Sequence, residues 1–365
     1  MNSKELLKTL LQYCSEKKYP DIHLNSGFFP KVRNENGHID DLKTITIQDK
    51  EYSFDSLDKS IIGEIITEIV GEHGFHKFLD EMELDTSYAL TSGDRYRVNC
   101  YIDSAGYSVA FRLIPSQIPT MEELGLGDQI KAMCDKTKGL ILVTGPTGSG
   151  KSTNLAAMIN YINKNHRKHI ITIEDPIEFA FHSDKSLINQ REIGNHTKSF
   201  SHAMRSALRE DPDVIVIGEM RDPETIKAAI TLAETGHLVL STLHTNDSVQ
   251  TIDRIVDVFP GTQQKQIRMQ LAMSLVGILS QRLVARSDKE GRIPTREILV
   301  TTDAVKNLII TAKTHQLYSV LEVGKKYGMI LMDKYLMLLY QKGMINKENL
   351  LAYARDKDGI EMMLN

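Results

Sequence analysis

Residues 145 to 152 read Gly-Pro-Thr-Gly-Ser-Gly-Lys-Ser, and this glycine-rich stretch decides how the rest of the chain is interpreted. The apolar run Leu140-Ile141-Leu142-Val143 precedes it and predicts a buried strand, and the run from Leu155 to Ile159 predicts a helix after it. A strand, a glycine-rich turn and a helix in this order are the context of a phosphate-binding loop. Glycines let backbone N–H groups turn towards phosphate oxygens, and the helix N-terminus adds positive potential there.

The loop combines a backbone cradle with two side chains that carry chemistry. We expect Lys151 to reach the β- and γ-phosphates of a nucleotide, and the Ser152 hydroxyl to ligate Mg²⁺. ATP and Mg²⁺ are therefore the predicted ligands, although base contacts have no signature here that separates ATP from GTP. The alternative, a glycine-rich turn that binds nothing, does not explain why Lys and Ser occupy the phosphate and metal positions. The predicted nucleotide-binding residues are Gly145, Pro146, Thr147, Gly148, Ser149, Gly150, Lys151, Ser152 and Thr153.

Composition excludes several other classes of protein. The 365 residues are 41% hydrophobic and 25% charged, with a net charge of −4, and this length predicts two or three domains. The slightly acidic balance supplies no global basic field, so no nucleic-acid partner is expected. No apolar stretch approaches the roughly 20 residues that span a bilayer. Cys14, Cys100 and Cys134 are too dispersed for a zinc site, and we expect buried or half-buried thiols in a reducing cytoplasm.

The pattern changes near residue 115 and predicts two domains joined by a linker. Residues 1–115 mix helical and strand patterns, which predicts a small α+β domain. Within it, residues 95–102 and 108–114 alternate strictly around a turn and predict a β-hairpin. Prolines and glycines punctuate residues 116–138, the predicted linker.

Residues 139–365 predict a RecA-like P-loop α/β core followed by helices. Short apolar strands are expected at 140–144, 169–173, 214–217 and 238–242, as in a parallel sheet that is covered on both faces. After about residue 263 the pattern becomes helical. The predicted helices there are one long helix from Ile267 to Leu283 and shorter ones at 303–312, 316–325, 330–341 and 346–355.

Two of the strands end in carboxylates, which a parallel sheet would bring to the same edge as the loop. One strand ends in Glu219, which can face the metal directly or through water; the commoner form of this motif ends in Asp-Glu, and here Gly218 replaces the Asp. Another ends in Glu174-Asp175-Pro176-Ile177-Glu178, and clustered carboxylates suit metal charge and water activation. The alternatives are a surface helix cap for Glu219 and a solvated acidic loop for the second group.

Histidines and arginines near these strand ends are further candidates. His237 precedes the strand at 238–242 and His244 follows it, and either one could hydrogen-bond the γ-phosphate or be structural. The arginines on the predicted hairpin are Arg95, Arg97 and Arg112. The simpler interpretation is that they lie on an exposed strand face. The alternative is that they are arginine fingers, which reach the nucleotide of a neighbouring subunit. Their rivals for contacts within the subunit are Arg209 and Arg221.

Together these motifs resemble those of the motor ATPases of the type II/IV secretion superfamily. The loop, the acidic box at 174–178, the stretch Glu219-Met220-Arg221-Asp222 and the box from His237 to His244 occur in the family's order. Within the superfamily, the chain is most similar to the branch that retracts type IV pili, and this similarity covers nearly the whole chain. Extension and secretion ATPases usually carry an extra N-terminal domain and a four-cysteine zinc module, and we expect neither here.

The resemblance implies a motor that couples ATP hydrolysis to pilus disassembly and twitching motility. It implies a cytoplasmic homo-hexamer on the inner-membrane face, a PAS-like N-terminal domain, nucleotide sites between subunits, and rotation of the two domains about the linker. Glu174 matches the general base and Glu219 the residue near Mg²⁺, and the region of Arg95, Arg97 and Arg112 supplies contacts in trans. The implied partners are a pilus platform protein and paralogous pilus ATPases.

One segment departs from the retraction pattern. That branch carries Ala-Ile-Arg-Asn-Leu-Ile-Arg, whereas residues 304–310 read Ala-Val-Lys-Asn-Leu-Ile-Ile. Lys306 keeps a charge but loses the bidentate fork of arginine, and Ile310 loses the charge altogether. The alternatives are therefore an accessory retraction ATPase, a motor of another secretion machine and, in a different class, a nucleotide-gated scaffold that hardly turns over.

Overall fold

Separate hydrophobic cores form in the computed structural model, which describes residues 2–34, 37–47, 50–114 and 117–364. The first unit comprises Met1–Gln117 with Pro176–Ala180, and the second comprises Ile118–Asp175 with Phe181–Asn365. The predicted domain boundary at residues 115 and 116 lies outside the described residues, as do the predicted outer limits at 1 and 365.

An antiparallel sheet and two helices form the described part of the first unit. Its helices are α1 (Ser3–Glu16) and α2 (Lys59–Glu81). Its strands are β1 (Asp21–Asn25), β2 (Lys31–Arg33), β3 (Ile39–Asp41), β4 (Thr44–Ile47), β5 (Lys50–Ser53), β6 (Glu83–Ala89), β7 (Arg95–Asp103) and β8 (Gly106–Ile114). The sheet runs in the order β3-β2-β1-β8-β7-β6, and β4 pairs with β5. The predicted hairpin is confirmed, because β7 pairs with β8 in register.

Strand alternation in β7 sorts side chains onto two faces of this sheet. Tyr96 and Val98 are fully buried in the core, and the Tyr96 hydroxyl donates a 2.6 Å hydrogen bond to the Leu11 carbonyl of α1. A buried phenol needs such a partner, so this bond fixes α1 against the sheet. Because the pattern has a period of two, Arg95 and Arg97 lie on the face away from that core.

A parallel sheet covered by helices forms the core of the second unit. Its strands are β9 (Gly139–Thr144), β10 (His169–Glu174), β11 (Leu187–Glu192), β12 (Val214–Ile217), β13 (Leu238–Leu243), β14 (Leu275–Ala285) and β15 (Arg292–Val300). They run in the order β11-β10-β12-β13-β9-β14-β15, with parallel pairing except between β14 and β15. The four predicted strands are confirmed as β9, β10, β12 and β13. They are buried over almost their whole length because helices cover both faces of the sheet.

Helices pack on both sides of this sheet, and further helices come after its last strand along the chain. They are α3 (Asp128–Cys134), α4 (Lys151–Asn165), α5 (Phe200–Ala207), α6 (Pro223–Glu234), α7 (Ser248–Asp257), α8 (Gly261–Ser274), α9 (Asp303–Ile310), α10 (Leu317–Val323), α11 (Met332–Gln341), α12 (Lys347–Tyr353) and α13 (Lys357–Leu364). The four shorter helices predicted after residue 300 are confirmed as α9 to α12.

The long helix predicted from Ile267 to Leu283 is wrong. Helix α8 ends at Ser274, and the chain continues as β14, which pairs with β9 on one side and β15 on the other. Strand β14 lies between β9 and β15 and is buried on both faces over most of its length, so its side chains do not show the alternation that identifies a half-buried strand. The pattern also does not predict β11, where four of six positions are polar or charged, or β15, where four of nine are.

The segment predicted as a linker packs into the second unit over most of its length. Residues 118–138 belong to that unit, and helix α3 lies within the segment. Met121, Leu126 and Ile130 are buried in the same cluster as β9 and α4. Apolar side chains at these positions remove the freedom that a flexible linker needs.

The described residues contain no helix that is both long enough and apolar enough to cross a membrane. The three cysteines are buried thiols, as predicted. Burial raises the pKa of Cys14 and of Cys100 to about 12, because the charged thiolate is disfavoured away from water.

A pair of glycine substitutions tests the packing of β14. An alanine Cβ at Gly277 would lie 2.6 Å from the Leu299 carbonyl oxygen, whereas one at Gly261 would meet nothing within 4 Å. We expect Gly277→Ala to lower the free energy of unfolding by about 1–3 kcal/mol through overpacking. Gly261→Ala, at the start of α8, should be neutral or slightly stabilising. Urea unfolding of both variants measures this, and equal midpoints would contradict the placement of β14.

Candidate nucleotide-binding site

The phosphate-loop sequence forms a tight turn between β9 and α4. Gly145, Gly148 and Gly150 have φ of +151°, +73° and +85°, a region that side chains other than glycine rarely adopt. A Cβ at Gly145 would also clash with the backbone carbonyl of Gln281. The first turn of α4 begins at Lys151, so its N-terminal N–H groups face the loop. The local backbone is therefore shaped as an anion cradle.

Lys151 lies inside this cradle. Its Nζ donates hydrogen bonds to the carbonyl oxygens of Gly145 at 3.0 Å and Pro146 at 3.1 Å, and its side chain is largely buried. The Ser149 hydroxyl is buried and has no hydrogen-bond partner among the described residues. An orphaned donor beside a buried ammonium group fits a bound phosphate oxygen.

A chain of polar contacts runs from the loop to Glu219. Thr147 Oγ1 lies 3.5 Å from His244 Nδ1, and His244 Nε2 lies 3.1 Å from Glu219 Oε1. The parallel sheet causes this meeting, because β13 and β9 end together at Leu243 and Thr144. Asp222, not Glu219, caps helix α6, so the helix-cap alternative for Glu219 is wrong.

Arg221 occupies the other side of the Glu219 carboxylate. Its Nε and Nη2 lie 2.9 Å and 2.8 Å from the same oxygen, Glu219 Oε2, and this hydrogen-bonded ion pair raises the pKa of Arg221. The Arg221 side chain is 72% exposed, so the pair is solvent-screened and movable. The structure thus places Arg221 at the site within the subunit.

Glu174 ends β10 next to the motif that holds Glu219. Ile173 pairs with Ile217, which puts Glu174 beside Gly218. A Cβ at Gly218 would lie 3.4 Å from the Glu174 Cα, an ordinary van der Waals contact, so the two strand ends pack side by side. Glu174 Oε1 accepts hydrogen bonds from Thr172 Oγ1 at 2.6 Å and Gln190 Nε2 at 3.2 Å. Gln190 was missed because β11 was not predicted.

His237 and Arg209 lie away from the phosphate loop, so neither belongs to the nucleotide-binding site of its own subunit. His237 precedes β13, at the edge of the sheet opposite the loop, and its Nδ1 lies 3.0 Å from the Leu232 carbonyl oxygen. Arg209 lies in the turn before β12, near Asp211, whose carbonyl meets His169 at the amino end of β10. Residues that precede a parallel strand lie at the amino edge of the sheet, whereas the phosphate loop lies at the carboxyl edge.

The hairpin arginines belong to the first unit. Arg97 pairs with Arg112 across β7 and β8, and both side chains are exposed. Arg112 Nε donates a 2.8 Å hydrogen bond to Asp21, and Arg95 Nη2 makes only a long 3.5 Å contact with Ser87. Both predicted alternatives, an exposed face and fingers in trans, are compatible with this placement.

The described residues contain no group of three or more His, Cys, Asp or Glu side chains that could hold a metal ion alone. Mg²⁺ is usually held by one or two protein oxygens together with substrate phosphates and water. Ser152 in the first turn of α4 and Glu219 at the end of β12 supply oxygens of that kind. The donor set therefore suits Mg²⁺ that arrives with a nucleotide.

A parallel α/β sheet with this loop at the carboxyl edge of its strands defines a P-loop protein of the RecA-like class. Residues 95–327 match the family of the Type II/IV secretion system protein, and the chain belongs to that family. The sequence-based prediction of the superfamily and of the α/β fold class is confirmed. The PAS-like character of the first unit stays a prediction.

Within this family, the chain is similar to two named relatives and to one solved structure. The chain is 43% identical over 348 residues to the type IV pilus retraction ATPase PilT of Pseudomonas aeruginosa, covering 95% of this chain and 96% of that protein. It is 47% identical to a twitching motility protein of Neisseria gonorrhoeae, covering 82% and 80%. Its structure is similar to a crystal structure of the pilus retraction motor PilT with bound ADP, with a TM-score of 0.86 and 41% identity, covering 97% and 98%.

Proposed function

We propose that this chain is a motor ATPase that couples ATP hydrolysis to retraction of type IV pili, and so to twitching motility. The observation that carries the proposal is the meeting of the phosphate loop, Glu219 and His244 at one edge of the sheet. It occurs in a chain that is similar to a pilus retraction ATPase over 95% of its length.

In the proposed mechanism each residue at the edge has a separate task. Lys151 leaves its loop carbonyls and donates to the β- and γ-phosphates of ATP. Glu174, oriented by Thr172 and Gln190, accepts the proton of the attacking water. His244 hydrogen-bonds the γ-phosphate and links its presence to Glu219. Mg²⁺, held by Ser152 and Glu219, would neutralise phosphate charge.

We further propose that the subunits form a homo-hexamer whose nucleotide sites are completed by hairpin arginines of a neighbouring subunit. Arg97 and Arg112 are directly opposite each other on the sheet, and Asp21 already pairs with Arg112. Arg97 is therefore the better candidate of the two to meet an anionic ligand between subunits. Arginine fingers in other nucleotide hydrolases contribute about 10³–10⁵ in rate.

Coupling to the pilus would follow from closure around the γ-phosphate. Binding of ATP would bring an N-terminal domain and a core together, and hydrolysis would release them. The partner that receives this rotation is a pilus platform protein on the cytoplasmic face of the inner membrane. Since residues 118–138 pack with the second unit, we place the hinge at the points where the chain crosses between the units, at 117/118, 175/176 and 180/181.

A second candidate function is that of an accessory retraction ATPase acting with a paralogue. Helix α9 carries the segment that departs from the retraction pattern. Its Lys306 lies 3.6 Å from Asp303, and its Ile310 is 41% exposed where the pattern has arginine. A cationic surface of the main motors is therefore partly apolar in this protein.

The purified protein tests the assignment of the loop and of the base. We expect Lys151→Ala to lose ATP binding, and Glu174→Gln to bind ATP but hydrolyse it about 10²–10⁴ times more slowly. Glu224→Gln, on the exposed side of α6, is a control that should retain wild-type turnover. Phosphate release and nucleotide binding are the measurements. Unimpaired hydrolysis by Glu174→Gln would remove Glu174 from its role, and a wild type without turnover would favour a scaffold.

A deletion strain tests the cellular function. Loss of this gene should leave long, unretracted surface pili and abolish twitching, because extension continues without disassembly. Complementation with the wild-type gene should restore twitching, and complementation with Glu174→Gln should not. Electron microscopy of pili and a twitching-zone assay provide the readouts. Twitching that persists at the wild-type level after deletion would favour the accessory role.

A further inference from the structure

A buried glutamine of β14 holds the phosphate loop near the loop's C-terminal end. Gln281 is 3% exposed, and its Nε2 donates a 2.6 Å hydrogen bond to the Ser149 carbonyl oxygen. Its own backbone carbonyl lies directly under Gly145, where no Cβ fits. The loop is therefore fastened to β14 by a residue outside its own sequence.

The bond from Gln281 orients an N–H group of the cradle. The peptide between Ser149 and Gly150 is planar and trans, so its C=O and N–H point in opposite directions. Because the Ser149 carbonyl faces Gln281, the Gly150 N–H faces the other way, away from β14. If Gln281 did not donate to the Ser149 carbonyl, this contact would no longer prevent the peptide between Ser149 and Gly150 from rotating.

An arginine opposite Gln281 extends the contact beyond the loop. Arg296 pairs with Gln281 across β14 and β15, and its Nε donates to Gln281 Oε1 at 2.7 Å. The two ends of its guanidinium donate to the Gly125 carbonyl at 3.0 Å and the Leu124 carbonyl at 2.6 Å. Arg296 is 3% exposed, and burying a charge away from water is costly unless it is fully hydrogen-bonded.

The hydrogen bonds that run from the Ser149 carbonyl through Gln281 and Arg296 to Leu124 and Gly125 form a bridge, the Gln281–Arg296 bridge. Its end away from the loop lies in the segment where the chain enters the second unit. The chain passes from the first unit to the second between residues 117 and 118, and the turn bonded by Arg296 follows within eight residues. That turn is short and self-bonded, with Leu126 N–H donating to the Met121 carbonyl. A single run of hydrogen bonds thus links the Ser149–Gly150 peptide to residues 121–127.

We propose that Gln281 and Arg296 are positioning residues that set the Ser149–Gly150 peptide for phosphate and couple occupancy of the loop to residues 121–127. This inference rests on the proposed ATPase function. Coupling of this kind is reciprocal, so a nucleotide that fixes the peptide also stabilises the turn, and loss of the bridge weakens both.

Two substitutions of Gln281 separate positioning from mere packing. Gln281→Glu keeps an acceptor for Arg296 but has no donor for the Ser149 carbonyl, and Gln281→Met is neutral and has neither. In both variants we expect KM for ATP and Kd for ADP to rise about tenfold, the effect of one hydrogen bond, with kcat changed less than twofold. Gln264→Glu is the matched control, since Gln264 donates to the Phe259 carbonyl away from the loop.

Hydrogen exchange tests the far end of the bridge. Saturating ADP should slow exchange at residues 121–127 in the wild type and should have little effect there in Gln281→Met. Circular dichroism checks that each variant folds.

Three results would overturn the inference. The first is a Gln281→Glu variant with the wild-type KM for ATP and Kd for ADP, and the second is an effect seen only in Gln281→Glu, which would be due to its charge. The third is protection of residues 121–127 by ADP that is the same in Gln281→Met as in the wild type. If Gln281→Met does not fold, Gln281→Glu decides the KM and exchange questions. A wild type that binds no ADP would instead contradict the proposed function.

Discussion

The structure depends on how the chain reverses between β9 and α4. Over the residues from Gly145 to Lys151 the backbone must turn its N–H groups inwards, which requires left-handed glycines and leaves no space for a side chain against β14. A loop of this shape is strained unless its surroundings hold it. The buried strands on either side supply that support, and Gln281 fastens the loop from below. The anion cradle is therefore a property of the whole sheet.

The same sheet decides which side chains can act together. Because β10, β12 and β13 run parallel to β9, their carboxyl ends lie along one edge and deliver Glu174, Glu219 and His244 there. His244 contacts both Thr147 and Glu219, and the exposed Arg221 pair can exchange partners at little cost. Such an edge suits a site that binds a highly charged ligand, alters its contacts when one phosphate leaves, and passes the change on to distant segments.

The sequence predicts the loop, the four central strands and the convergence of Glu219 and His244, because each depends on local periodicity and on the geometry of parallel strands. It does not predict β14, which is buried on both faces and so lacks an alternating pattern, or the Gln281–Arg296 bridge, which depends on pairing between distant strands. His237 and Arg209 show a second limit. Both are close in sequence to the correct strands but precede them, and only the direction of the strand separates the two edges.

We propose above that catalysis needs a loop from one subunit and arginines from the next. The most direct measurement mixes Lys151→Ala with a variant that carries Ala at Arg95, Arg97 and Arg112, after subunit exchange. Each variant alone should be inactive. The equimolar mixture should recover about a quarter of the wild-type ATPase rate, because half of the loops are intact and half of their neighbours carry arginines. A mixture as inactive as its components, or full activity of the arginine variant alone, would contradict the shared site.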